Sequence, residues 1–299
     1  MRSFVLHLLR GFAMGSADLV PGVSGGTVAL VLGIYRRLIK SIRIGAGSLA
    51  RLIRLDVGGF ARSLKQVEWA FLLPLLIGIA AAVVSLSRLI ENLLDTVPVR
   101  MAGVFFGLVA GSLVVAWRLI DRRDLTRSAL VVLTGVVTFW LLGFSAGTVA
   151  DPAWWMFLAG GALAICAMIL PGISGSFLLL MVGMYEAVLG AVNQRDLDSI
   201  VLVAIGAVTG LALFSTLLNR LLDRHQDTVM AVLVGLMAGS LRVLWPWPDG
   251  TAGPSMSAPG GDVVLPVLFA VAGAALVLAV TRKEASIEAQ VDAAAEVAE

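Results

Sequence analysis

Two short stretches of the chain place proline, glycine and hydroxyl residues at matching positions: Pro21-Gly22-Val23-Ser24-Gly25-Gly26-Thr27 and Pro171-Gly172-Ile173-Ser174-Gly175-Ser176. Proline lacks an amide hydrogen and glycine accepts the backbone angles of a reversal, so each stretch ends one helix and begins another. The new helix starts with unpaired amide donors and a partial positive charge, which is anion-binding chemistry. The backbones of Gly25, Gly26 and Gly175 and the hydroxyls of Ser24, Thr27, Ser174 and Ser176 are its candidate donors. The plainer reading is a pair of packing kinks with serine caps. Two matched copies favour binding.

Charged residues within apolar segments are the next candidates. Asp18 stands three residues before Pro21, where a carboxylate is costly unless paired or wet. It could take a proton, cap an amide or pair with an arginine. Glu186, beside Tyr185, is a second group of this kind. Arg242 and Arg88 fall near ends of apolar segments, where a guanidinium either clamps a phosphate or snorkels to headgroups. Gly103, Gly107 and Gly111, like Gly235 and Gly239, recur every four residues and read as close-packing faces between membrane helices.

Other chemistries lack their residues. Cys166 is the only cysteine, His7 and His225 are the only histidines, and CxxC, HExxH and P-loop patterns are absent. No metal, no cofactor and no nucleotide drive are therefore expected. The net charge of +2 gives no reason to expect a nucleic-acid partner.

The elements that position these groups follow from composition. Of 299 residues, 59% are apolar and 14% charged, against about 25% charged in soluble domains. With a mean hydropathy of +0.96, the chain is an all-α polytopic membrane protein. The first 17 residues resemble a signal peptide, but Arg10 interrupts the apolar run, which continues past any cleavage site, so the N-terminus is expected to be retained. Apolar segments fall at 4–38 and 154–192, each broken by one glycine stretch, and at 70–87, 99–117, 128–148, 200–218, 229–245 and 263–281. From Arg282 a polar, mobile tail is expected.

This order is a duplication, with repeats at 1–150 and 151–281 and a tail at 282–299. A shift of 150 residues lays Pro21, Gly22, Ser24, Gly25, Gly33 and Tyr35 on Pro171, Gly172, Ser174, Gly175, Gly183 and Tyr185. A shift of 128 lays Gly107–Leu113 on Gly235–Leu241. If each broken region enters and leaves by one side, 18 of the 22 basic residues fall on the cytoplasmic face, with both termini, as the distribution of Lys and Arg in membrane proteins requires. Each repeat is then a re-entrant helical hairpin plus three transmembrane helices, and the two halves are inverted, a transporter architecture. Limbs of roughly 16 residues would be about 24 Å long, short of the ~30 Å hydrocarbon core, so the tips are expected to meet near the midplane. The basic and apolar residues of 41–68 suit either a helix lying on the anionic inner leaflet or a solvated linker.

The stretch ADLVPGVSGGT, its partner LPGISGS and the segment SLRVLWPW resemble the bacterial polyprenyl-phosphate transporters, a family long catalogued only as a domain of unknown function. The likeness covers roughly residues 8–281. It implies a flippase of the bacterial plasma membrane, not an enzyme, that returns undecaprenyl phosphate or a related carrier lipid to the inner leaflet for cell-envelope synthesis. By that resemblance Asp18, Ser24, Thr27, Ser174 and Arg242 belong to the site, and more weakly Arg88 and Glu186. The partners implied are the polyprenyl-phosphate lipid and membrane lipids, with association into homo-oligomers left open. The inside-negative potential opposes inward movement of an anion by roughly 2.3 kcal/mol per charge per 100 mV, so coupling to protons or another cation through Asp18 or Glu186 is expected. The same architecture would serve a secondary transporter of a small anionic metabolite. A lipid phosphatase is disfavoured because neither histidine lies in a suitable motif.

Overall fold

An apolar chain can cross lipid only if its backbone polar groups are bonded within the protein, which in this sequence means helices. The computed structural model describes residues 2–20, 22–53, 55–144, 147–248, 250 and 256–296, so Pro21 and Arg54 lie outside the described residues. Among these there are thirteen helices and no strand. The first half contains α1 (Arg2–Asp18), α2 (Gly25–Val31), α3 (Tyr35–Ile53), α4 (Val57–Leu64), α5 (Trp69–Thr96), α6 (Pro98–Arg118) and α7 (Leu125–Leu141). The second contains α8 (Trp154–Ile169), α9 (Gly175–Met181), α10 (Tyr185–Gln194), α11 (Leu197–Arg224), α12 (Gln226–Ser240) and α13 (Val264–Glu296). Among the described residues, α5, α6, α11 and the Val264–Arg282 part of α13 are long and apolar enough to span a bilayer. Their outer faces carry bare apolar side chains such as Val84, Leu213 and Val271, a surface suited to lipid rather than water.

The helices pair in a matched way. α1 lies along α5, as α8 lies along α11, while α6 lies along α13 and α12 along α7. Glycine makes these contacts close. A methyl group at Gly78 would strike the carbonyl of Leu8, at Gly206 that of Leu158, and at Gly107 that of Ala270. The four-residue glycine stripes are thus packing faces, as their spacing indicated. The shared core lies where α3, α5, α11 and α12 converge, around Ile39, Phe71, Leu75, Leu218 and Met237.

Several expected boundaries are corrected. The second limb of each hairpin is not one helix of about 16 residues but a helix of seven, α2 or α9. Each ends at a left-handed glycine, Gly33 (φ 68°) or Gly183 (φ 73°), a conformation that β-carbons disfavour. Beyond the second of these, α10 leaves α9 at 113°. Helix α7 stops at Leu141 rather than at 148, and α12 at Ser240 rather than at 245. Past α12, Pro246 and Pro248 have no amide to extend a helical ladder. In the basic segment 41–68 the chain is helical as the end of α3 and as α4. Helix α13 runs on to Glu296 through the region expected to be a mobile tail, because residues 283–296 are dominated by the helix formers Ala, Glu, Lys and Gln.

Candidate functional site

Each hairpin reverses through a glycine in the left-handed region, Gly22 at φ 84° and Gly172 at φ 88°. Both reversals lie against the end of α12. A methyl group at Gly22 would fall 3.0 Å from Val243 Cγ1, and one at Gly172 would fall 2.7 Å from Met237 Cα. The two tips therefore meet.

They are also stitched together. The Ser24 hydroxyl donates to the Met168 carbonyl at 3.0 Å and accepts the Gly26 amide at 3.1 Å. Thr27 Oγ1 accepts the Gly172 amide at 2.8 Å, and the Tyr35 hydroxyl donates to the Ile169 carbonyl at 3.2 Å. All three side chains are at most 2% exposed, and polar groups buried to that degree need such partners. Only a residue without a side chain fits between them, since a methyl group at Gly26 would lie 2.7 Å from the Ile169 carbonyl oxygen.

At the start of α2, Asp18 Oδ1 accepts the Gly25 amide at 2.6 Å, a charge-assisted bond where a helix start favours an anion. The chain's own carboxylate thus stands where a ligand anion was expected. The donors of the first tip are not unpaired, because Asp18 holds Gly25 and Ser24 holds Gly26. At the second tip Met168 occupies the position that the shift of 150 residues gives to Asp18. Ser174 provides no side-chain cap to α9. Its hydroxyl instead shares a 2.8 Å hydrogen bond with that of Ser176.

Between the tips lies a cavity of about 180 Å³ lined by Asp18, Ser24, Ser174, Gly175 and Ser176, with Val23, Met168 and Ile173 as apolar walls. At about 30 Å³ per water molecule it has room for a phosphate group or a few waters. Ser176 and Met168 are its exposed members. An apolar cleft of about 320 Å³ lies beside it, walled by Ala17 of α1, Val28 and Val31 of α2, Phe105 of α6 and Val277 of α13. Val23 lines both spaces.

Of the residues singled out in the sequence, the structure gathers Asp18, Ser24, Ser174, Gly175 and Ser176 at this cavity. Thr27 faces the apolar cleft and the Gly172 amide. Arg242 is not on the cavity wall. Its guanidinium lies 4.7 Å over the Phe139 ring, close against Gly143. Arg88 is exposed partway along α5 and Glu186 is exposed in the first turn of α10, and neither lines the cavity. The arginine clamp and the second carboxylate are therefore not assembled with the tips. For Glu186 the reason is the seven-residue length of α9, after which α10 turns away at 113°. Tyr35 was not singled out, although its repetition as Tyr185 was a signal that it serves the hairpin. Among the described residues no three His, Cys, Asp or Glu side chains come together as a metal site.

Residues 14–258 match the model of a family described as undecaprenyl phosphate translocase-like. A Vibrio cholerae protein named polyprenyl-phosphate transporter is 42% identical over 247 residues, covering 83% of this chain and 79% of that protein. A Staphylococcus aureus protein of the same name is 31% identical over 258 residues, covering 81% and 86%. No solved structure gives a significant match.

Proposed function

The chain belongs to the undecaprenyl phosphate translocase-like family, and on that premise we propose that it is a polyprenyl-phosphate transporter that carries this lipid from the outer to the inner leaflet of the bacterial plasma membrane. The observation that carries the reading is that Val23 lines both the cavity with its serine hydroxyls and the apolar cleft. A phosphate monoester alone in hydrocarbon would cost tens of kcal/mol by Born solvation. In the cavity Ser174, Ser176 and the backbone at Gly175 replace its water, while the first isoprene units lie in the cleft. The names of its relatives, transporters rather than enzymes, support movement without chemistry.

The reciprocal pairing of α6 with α13 and α12 with α7 supports two halves related by a pseudo-two-fold axis and inserted in opposite senses, and the Lys and Arg distribution favours both termini on the cytoplasmic side. Asp18 gives a route to coupling. A phosphate entering the cavity meets a carboxylate of like charge already holding the Gly25 amide. A proton or other cation taken up at Asp18 removes that repulsion and frees the amide for the ligand. Arg242 and Arg88 remain candidates for headgroup contacts outside the cavity, and Glu186 for a second charge partner.

The test is flipping of a labelled prenyl phosphate in proteoliposomes under an imposed pH gradient. The Ser174→Ala/Ser176→Ala double variant is expected to flip at least tenfold more slowly, and Asp18→Asn to lose its response to the gradient. Unchanged flipping by the serine variant would overturn the site. Transport of small phosphates in preference to lipid would overturn the substrate.

A further inference from the structure

The residues that follow Tyr35 on α3 form a second, separate concavity. Arg36, Arg37, Lys40 and Arg43 line a crevice of about 410 Å³ between α3, the start of α5 and α11, facing the carboxylates of Glu68 and Asp223. Both carboxylates are engaged. Glu68 takes Arg37 at 2.7 Å, and Asp223 takes Arg36 at 3.4 Å and the Asn219 amide at 2.8 Å. These contacts also aim the two guanidiniums, Arg37 lying 4.3 Å over the Phe71 ring and Arg36 bonding Gln226 at 2.6 Å. Lys40 and Arg43 line the same wall with no carboxylate in ion-pair range among the described residues. Four cations against two carboxylates leave the crevice with a surplus of two positive charges.

We propose that this crevice is a phosphate-binding site for the phosphomonoester headgroup of the lipid, separate from the tip cavity, where the headgroup rests on the cytoplasmic side of its path. The inference rests on the transport reading above. A concave wall of arginine and lysine with its own carboxylates satisfied presents many donors and net positive charge to a phosphate dianion. Arginine supplies a planar fork and lysine a mobile point charge, a combination suited to a tetrahedral anion. The crevice is also joined to the tips by one helix. Tyr35, adjacent to Arg36, is the residue whose hydroxyl holds the second tip at Ile169, so a ligand pulling on α3 acts on the element that keeps the tips together.

The experiment uses the full chain in phosphatidylcholine nanodiscs, with binding of inorganic phosphate and of farnesyl phosphate measured for four proteins. Lys40→Gln/Arg43→Gln is expected to weaken inorganic phosphate at least tenfold, with loss of the salt dependence that marks a basic site. The charge-retaining Lys40→Arg/Arg43→Lys is expected to bind as the parent does, which separates loss of charge from loss of folding. Ser174→Ala/Ser176→Ala is expected to keep phosphate binding at the crevice while losing farnesyl phosphate at the tips. Phosphate affinity unchanged in Lys40→Gln/Arg43→Gln overturns the crevice and leaves the transport reading intact. Farnesyl phosphate binding unchanged in the serine variant overturns the tip site and leaves the crevice standing. Adding phosphatidylglycerol to the nanodiscs separates the sources of phosphate. If this diester displaces farnesyl phosphate from the crevice at equal concentration, the site is one for bulk anionic lipid and the proposal fails.

Discussion

At the first tip the carboxylate of Asp18 accepts the Gly25 amide, and Ser24, Thr27 and Tyr35 spend their hydroxyl groups on the backbone of the other hairpin. At the second tip Met168 replaces the carboxylate, Ser174 and Ser176 bond each other, and both line the cavity. Tyr185, the counterpart of Tyr35, makes no such bond among the described residues. The two reversals therefore differ in use: the first spends its hydroxyls on the other reversal, and the second leaves Ser174 and Ser176 at the cavity. Matched backbone turns need not carry matched hydrogen bonds. Polar groups whose hydrogen bonds close on themselves add stability and specificity, whereas exchangeable hydroxyl pairs can be turned toward an incoming anion at little cost.

The comparison can be broken most forcefully at Gly26. A valine there places carbon 2.7 Å from the Ile169 carbonyl oxygen, and overpacking of this kind costs typically 1–3 kcal/mol or more. Gly26→Val is expected to lower the thermal midpoint sharply in detergent and to abolish flipping, because the tips can no longer meet. Next in size is the pair of serines. Ser24→Ala leaves the buried Gly26 amide and Met168 carbonyl without their partner, a loss of about 1–3 kcal/mol. Ser174→Ala, by contrast, is expected to shift the midpoint little yet reduce flipping tenfold. Equal losses of stability in the two variants would refute the division of labour between the tips.

Tyr35→Phe removes one neutral hydrogen bond and is expected to cost about 1 kcal/mol. The measurement is the thermal midpoint together with hydrogen exchange at the tips, and no change in either would show that Tyr35 does not tie them. The smallest effect concerns a helix start away from the tips. Asp196 caps α11 through the Ser199 amide, and its hydrogen bonds to Ser199 hold its carboxyl below the ordinary carboxylate range. A depressed folded value means that this stabilisation is complete above the unfolded value of about 3.9 and fades as pH falls through the folded one. Asp196→Ala should therefore show a slightly lower thermal midpoint than the parent at pH 7, the difference shrinking toward pH 3. A difference that grows on acidification would contradict the cap.

Much of the fold was legible because its determinants are local. The lengths of the apolar runs gave α5, α6, α11 and the start of α13, and the glycine and proline positions marked both reversals and their duplication. Gly22, Gly33, Gly172 and Gly183 all adopt positive φ, as a backbone break encoded in the residue itself requires. The composition of a stretch fixes how far a helix can run and where it must turn, without reference to distant chain. The sequence by itself therefore determined an all-helical membrane chain with two matched glycine reversals. Which donors at those tips stay available was decided only in three dimensions. Ser24 meets a carbonyl 144 residues away and Thr27 an amide 145 away, partners that no local pattern specifies. For the same reason Arg242, grouped with the tips by its motif, lies instead over Phe139. Whether a hydroxyl or a charge binds a ligand depends on what else can satisfy it first, and that competition exists only once the helices have packed.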